Sequence, residues 1–351
     1  MAKGPGQLDI RKLQMTGGAT FTLSLPKKWI EVNGLAARDA VQIDWRPSGA
    51  LRISTLKEFQ ESRRISLSTS RVPVDAILDH LMGAYLAGTD RITIHHEADE
   101  SRKIKKKIRD FQRFTRGFEI EDETDTAHSL ICLLNAAEMP LRSSLNQMFL
   151  RLNSIVRDVL EVLSGGDLEL ISDYEERERE IDSQHFLIER QAGIILDSYK
   201  VAESLGMTRR QAAEHANLAR SLERMADHAF QLAKLTTDFE GVPSLSPDSL
   251  PLNQIPVWQE SIRSLMVNIR TKDAREIENA RNALKSAQLS LKDHEKGLWS
   301  GKPEAEKVLL EDHISESIRR MCAYARDFGE TLLNMIAHEE MITSRDLIKG
   351  F

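Results

Sequence analysis

The chain has 351 residues, with 48 Lys and Arg against 54 Asp and Glu, a formal charge of −6, and 41% hydrophobic residues. That is enough apolar material for a core, so wholesale disorder is excluded, and the length corresponds to roughly two to three domains. Two cysteines, Cys132 and Cys322, stand far apart without a Cys-x-x-Cys partner, which argues against a disulfide framework or zinc knuckle and fits a reducing cytoplasm. The first twenty residues hold no apolar h-region, and no run of about 18 apolar residues occurs, so neither secretion nor membrane insertion is expected. Aromatics are only 5%, while Ala, Leu, Glu and Arg are abundant, which points to packed helices.

The charge is unevenly spread. Residues 1–57 hold nine Lys and Arg against four Asp and Glu, whereas residues from 136 onward hold 27 against 36. A basic end on an acidic body suggests an anionic partner for the first and cations for the second.

The expected fold is mostly α, with a small β module and a small α+β part at the N-terminal end. In residues 1–57, Leu13, Phe21, Leu23 and Leu25 alternate with polar residues, and Gly17-Gly18 supplies a turn. Pro26 suits the first position of a short helix over 27–32. Val41, Ile43 and Trp45 alternate again, Pro47-Ser48-Gly49 turns, and Leu51 and Ile53 form a last strand. So few strands bury little surface alone, and dimerisation is the simplest remedy.

Residues 58–137 alternate β and α. Strands are expected at 65–67, 91–95, 118–121 and 129–134, and helices at 74–87 and 101–116, with Gly88 and Gly117 as stops. The second helix carries Arg102, Lys103, Lys105, Lys106, Lys107 and Arg109, either a solvated face or a surface for nucleic acid or a phosphorylated partner.

The remainder is helical. Leu141, Leu145, Met148, Leu152, Ile155, Val159 and Leu163 form one stripe. After Gly165-Gly166, a second long helix starts near Asp167 and runs beyond Tyr199; Thr208-Arg209-Arg210-Gln211 is a capping box for a third, which ends near Thr236. A proline-rich linker over 241–256 separates this repeat (138–240) from a second one (257–351). Ser154-Ile155 leading to Asp167 is echoed by Ser261-Ile262 leading to Asp273, the mark of an internal duplication.

Glu178/Asp182 and Glu223/Asp227 are both Glu-x-x-x-Asp, which sets two carboxylates on one helix face. About eight acidic i,i+4 pairs arise by chance at this acid content. Two pairs on facing helices would nonetheless converge four carboxylates, whose repulsion Fe, Mn, Mg or Zn relieves. Asp182-Ser183-Gln184-His185 and Asp227-His228 raise a rival, a di-iron carboxylate redox enzyme, but that chemistry needs two Glu-x-x-His motifs. Gly4-Pro5-Gly6 and Ser164-Gly165-Gly166 match no nucleotide-binding fingerprint.

Leu222-Glu223-Arg224-Met225-Ala226-Asp227-His228-Ala229 resembles the Leu-Glu-Arg-Ile-x-Asp-His-Ala signature of the PhoU proteins, regulators of phosphate uptake. The resemblance covers about 140–345 and implies two three-helix repeats that bind multinuclear iron or zinc clusters. It makes Glu178, Asp182, Glu223 and Asp227 the metal-ligand candidates. The second repeat departs from the pattern, because Arg319 and Ala323 stand in the acidic places and Leu284, Lys285 and Gln288 near the other motif.

The run Gly17 to Trp29, with Ala37-Arg38-Asp39-Ala40-Val41, resembles the AbrB/MazE swapped-hairpin family, in which two chains interleave into one barrel and present basic residues to DNA. Arg11, Lys12, Lys27, Lys28 and Arg38 are then the DNA-contact candidates; the family often has Gly where this chain has Arg38. The whole order is similar to the archaeal PhoU-type regulators. It implies a homodimeric, non-enzymatic cytoplasmic regulator of phosphate uptake that binds DNA through its first module and a divalent metal, a protein partner or both through its helical body. A phosphate ABC transporter ATPase or another signalling protein is the implied protein partner. The alternative is a metal-binding adaptor whose first module only dimerises.

Overall fold

The computed structural model describes residues 10–18, 20–45, 50–56, 63–238, 244–300 and 305–349. The Pro47-Ser48-Gly49 turn, Gly4-Pro5-Gly6 and Pro243 lie outside the described residues. The chain divides into two compact units, Met1–Ser62 and Arg63–Phe351, a boundary five residues later than the sequence suggests.

In the first unit, β1 (Gln14–Thr16) and β2 (Thr20–Thr22) pair antiparallel, with Met15 opposite Phe21. Gly17 and Gly18 turn between them at φ 65° and 80°, a region open to residues without a Cβ. Pro26 is extended at φ −62° and ψ 127° and stands just before α1 (Lys27–Val32), one position earlier than expected. Its carbonyl accepts from the Trp29 and Ile30 amides. Strands β3 (Val41–Trp45) and β4 (Leu51–Thr55) pair antiparallel in a separate sheet. The described residues of one chain thus form two hairpins, not a closed barrel. No described apolar side chain of this unit is buried; Met15, Phe21, Val32, Ile43 and Leu51 are each more than half exposed.

The second unit begins with β5 (Arg64–Ser68), a 3-10 turn over Val74–Ala76, α2 (Ile77–Leu86), β6 (Arg91–His95), α3 (Ser101–Phe114), β7 (Phe118–Glu123) and β8 (Ala127–Cys132). The sheet order is β5-β6-β8-β7; β5 and β6 run parallel and the other pairs antiparallel. Alternation along the strands sends Leu67, Ile92, Ile94 and Leu130 into a core with Ile77, Leu81 and Tyr85 of α2 and Ile104, Ile108 and Phe111 of α3. Helix α3 stops two residues short of the expected Arg116 because Thr115 turns extended and its hydroxyl bonds back to the Phe111 carbonyl at 2.7 Å.

The helical body follows: α4 (Leu141–Leu163), α5 (Tyr174–Asp197), α6 (Tyr199–Ser204), α7 (Arg209–Asp238), α8 (Gln254–Thr271), α9 (Ala274–Leu298) and α10 (Ala305–Lys349). One continuous apolar core runs through both repeats, joined chiefly where α7 packs on α10. The duplication shows in the caps: Asp167 accepts from the Glu169 amide at 3.0 Å, and Asp273 from the Arg275 and Glu276 amides at 2.9 and 3.2 Å. The capping box at Thr208 and Gln211 is reciprocal, at 2.9 and 3.1 Å.

Two expectations need correction. The second long helix does not run past Tyr199; Ser198 leaves the helix at φ −112° and ψ 111° and caps α6 through its hydroxyl. The linker is shorter than 241–256, since α8 starts at Gln254 and takes Pro256 into its first turn, where a missing N–H leaves no bond unmade. Among the described residues no helix is long and apolar enough to cross a membrane.

Gly117 closes the turn into β7 at φ +84°, and a Cβ there would stand 2.2 Å from Leu134 Cγ. Gly117→Ala should therefore destabilise the second unit by about 2 kcal/mol or more. Urea denaturation measures this, and an unchanged midpoint would contradict the packing described.

Candidate functional site

Helices α5 and α7 are antiparallel neighbours: Glu189, late in α5, pairs with Arg220, early in α7, at 2.8 Å. On α5 the residues Glu178, Asp182, His185 and Glu189 follow one another at i, i+4, i+7 and i+11, a single row on one face. On α7 the facing row is Arg220, Glu223 and Asp227. A polar seam thus runs between the two helices, flanked by the buried Ile181, Ile188, Leu222 and Met225.

The two ends of the seam differ in charge. At one end Arg220 balances Glu189, and His185 Nε2 lies 3.5 Å from Glu189 Oε1. Burial holds the His185 imidazole below its ordinary pKa. At the other end stand Glu178, Asp182, Glu223 and Asp227, all four carboxylates the sequence singles out. Burial and then the Asp227 charge raise Glu178. Burial, then Glu178 and Asp227, push Asp182 up to about 6. Burial, then Asp227 and Asp182, push Glu223 up to about 7, against the opposing pull of Arg224. Asp227 sits at the open edge of the group and is raised by the protein atoms crowding it, again against Arg224. Glu178, Asp182 and Glu223 therefore each sense the Asp227 charge. No described cation pairs with any of them, and Arg224 instead lies over the Tyr324 ring of α10 at 5.5 Å.

Such a group fits a divalent cation in charge and in donor chemistry, four hard oxygen ligands carrying up to four negative charges. It is not a preformed cage: among the described residues no three His, Cys, Asp or Glu side chains stand close enough to share one metal ion. The histidines do not complete a di-iron set. His228 turns away from the acids and stacks on Tyr324 at 5.8 Å, and burial lowers its pKa.

The second repeat shows the contrast. Arg319, in an acidic place, binds Glu295 through Nε at 2.8 and 3.1 Å, and Gln288 accepts from Arg326 at 2.8 Å. Its α9–α10 seam is charge-balanced at these positions.

The nucleic-acid candidates lie in the first unit. Arg11 and Lys12 precede β1, Lys27 and Lys28 open α1, and Arg38 lies in the turn before β3; all five are exposed. Lys27 stands 3.5 Å from Glu31. Arg38 adopts φ +80°, the left-handed region that favours glycine, in a turn closed by Asp39 on the Ala36 amide.

Sequence reasoning missed the other flank of α5. Buried Arg190 donates to the Tyr85 carbonyl at 2.8 Å and lies over the Tyr85 and Phe118 rings at 5.0 and 5.5 Å. Arg116 Nε donates to Ser183 Oγ, next to Asp182, at 3.2 Å. These bonds lock the α+β part to the helix that carries half of the acids. Only Glu189 had a usable signal, the continuation of the row that Glu178 and Asp182 begin.

Residues 145–236 match the PhoU domain. The match spans α4 to α7, the helices that build the seam, and leaves the first unit, the α+β part and the second repeat outside it. A crystal structure of the phosphate transport system regulatory protein PhoU from Streptococcus pneumoniae is similar at 18% identity and a TM-score of 0.36, covering 55% of this chain and 95% of that one. No curated protein matches the chain.

The raised carboxylates of the PhoU-domain repeat set a pH dependence in chelator-treated protein. Between their unfolded and folded pKa values the native state holds protons that the unfolded chain has released. Their stabilising contribution is thus full below pH about 4 and lost as pH rises through about 6 to 7. Buried His185 and His215, lowered by burial, act with the opposite sign, so the difference between variants is the test. Glu223→Gln should gain about 1–2 kcal/mol on wild type between pH 5 and pH 8. Parallel profiles in urea denaturation would contradict this.

Proposed function

We propose that the protein is a homodimeric, non-enzymatic regulator of phosphate uptake in the cytoplasm. Its first unit binds DNA, and its helical body binds a divalent cation, a phosphate-transporter ATPase or another signalling protein, alone or in combination. The observation that carries this reading is the group of four carboxylates without a cation, set within the segment that matches the PhoU domain. Glu178, Asp182, Glu223 and Asp227 would hold iron, zinc or another divalent ion, which supplies positive charge to the α5–α7 seam.

The first unit supports the DNA-binding half. Two hairpins with no buried apolar side chain among the described residues leave Met15, Phe21, Val32 and Ile43 exposed, and a second copy of the same unit would cover them. Interleaving two such units into one barrel would bring two copies of Arg11, Lys12, Lys27, Lys28 and Arg38 onto one assembly, as a charged duplex requires. A ligand on the helical body regulates DNA affinity only by favouring one arrangement of the dimer, and by linkage DNA must then change the affinity for that ligand. The adaptor alternative, in which the first unit only dimerises, rests on the same exposed apolar surface.

The two are separated by the salt dependence of DNA binding. Affinity for duplex DNA should fall steeply with salt, and Lys27→Ala with Lys28→Ala should weaken it for all sequences. The two substitutions should reduce the slope of log affinity against log salt by about 2 per chain. Dimers in sedimentation with no DNA affinity at low salt would favour the adaptor.

A further inference from the structure

Helix α3 is the part of the second unit that the regulator reading leaves without a role. It carries seven Lys and Arg and a single Asp. Ile104, Ile108 and Phe111 are fully buried and fix its roll against the sheet. With that roll, Arg102, Lys106, Arg109 and Arg113 follow one another at i, i+4, i+7 and i+11 along the opposite face, and all four are exposed. At the rise of a helix, the row is roughly 16 Å long.

Two cations on the flanks are engaged, and those of the row meet at most a weak partner on their own helix. Lys105 is paired with Glu123, and Lys107 donates to the Asp75 carbonyl at 3.1 Å. Among the described residues neither Arg102 nor Lys106 meets a carboxylate, Arg109 bonds only the Lys105 carbonyl at 3.3 Å, and Arg113 stands 3.9 Å from Asp110. Two of the four acids of β7 are themselves taken up: Lys105 balances Glu123, and Arg91 binds Glu121 at 2.8 Å. A straight, rigid row of like charges is left facing solvent, where like charges at helical spacing repel.

We propose that this face of α3 binds the phosphodiester backbone of double-stranded DNA without regard to sequence. The proposal deepens the DNA-binding reading by adding a contact outside the first unit. The row holds no aromatic or aliphatic side chain to anchor a folded protein partner. The apolar face of the helix is committed to the core, so it has nothing to insert into a membrane surface. What remains is an array of singly charged donors at steps of about 4.5 to 6 Å, which suits a polymer of regularly repeated single negative charges.

The test uses the full chain and a 30-base-pair duplex of arbitrary sequence, followed by fluorescence anisotropy across a salt series. The variants are Arg102→Gln/Lys106→Gln/Arg109→Gln/Arg113→Gln and, separately, Lys27→Ala/Lys28→Ala. Glutamine is a good helix former at these exposed positions, and an unchanged circular dichroism melt controls for folding. The quadruple variant should bind at least tenfold more weakly at 100 mM salt, with the salt slope reduced by about 3.6 per chain. Binding and slope equal to wild type overturn the proposal, whatever Lys27 and Lys28 do. Loss in the quadruple variant alone supports α3 and removes the first-unit reading; no binding by wild type at 50 mM salt removes both. Polyglutamate, or vesicles containing phosphatidylserine, held by the row as tightly as DNA at equal charge would overturn the choice of partner.

Discussion

Helix α5 is packed on two flanks at once, against α4 and α7 on one side and α2 and α3 on the other. A helix so enclosed must satisfy its polar residues within the protein, and most of them are satisfied. Arg190 reaches Tyr85, Ser183 accepts from Arg116, and Gln191 donates to the Ala136 and Met139 carbonyls. Gln184 Oε1 and His185 Nε2 find no hydrogen-bond partner, and the carboxylates on the α7 side face one another. Glu189 has Arg220, but one turn further on the seam holds acids against acids. Burying charge without a partner is costly unless the group takes up a proton or a cation, and the raised pKa values of Asp182 and Glu223 express that cost. The same position in the second repeat is resolved by Arg319 on Glu295. One repeat of the duplication is therefore balanced from within, and the other holds acids that no described cation pairs with.

The first unit is incomplete in a different sense. Its shortage is of apolar partners: hairpins of three and five residues per strand expose the side chains that a core would cover. A second chain would remove this shortage by burial, as a cation would remove that of the seam by charge.

Much of the architecture is legible in the sequence where a local signal decides. The stripe from Leu141 to Leu163 marks α4 to the residue, Gly117 and Gly17-Gly18 mark turns that need positive φ, and Thr208 with Gln211 announces α7. The interruption at Ser198 is not legible, because no glycine or proline stands there and the hydroxyl cap is an outcome of packing. The spacing of Glu178, Asp182, Glu223 and Asp227 is equally plain, but that they lack a cation is not. It follows from pairing α5 antiparallel with α7, which opposes Arg220 to Glu189 and leaves Glu223 and Asp227 facing Asp182 and Glu178. Arg190 is the least readable residue of all. Its partner Tyr85 lies 105 positions away in the α+β part, and a buried arginine runs against the general exposure of charge.

Everything proposed for the helical body turns on whether the four carboxylates take a cation. The direct measurement is equilibrium binding of Mn²⁺, Fe²⁺ and Zn²⁺ to chelator-stripped protein near pH 7.5, for wild type and for Glu223→Gln/Asp227→Asn. Wild type should bind at least one of these ions, release protons as it does so, and melt at a higher temperature, while the variant stays folded and binds none. Wild type that binds no divalent ion, or a variant that binds as well as wild type, would contradict the account.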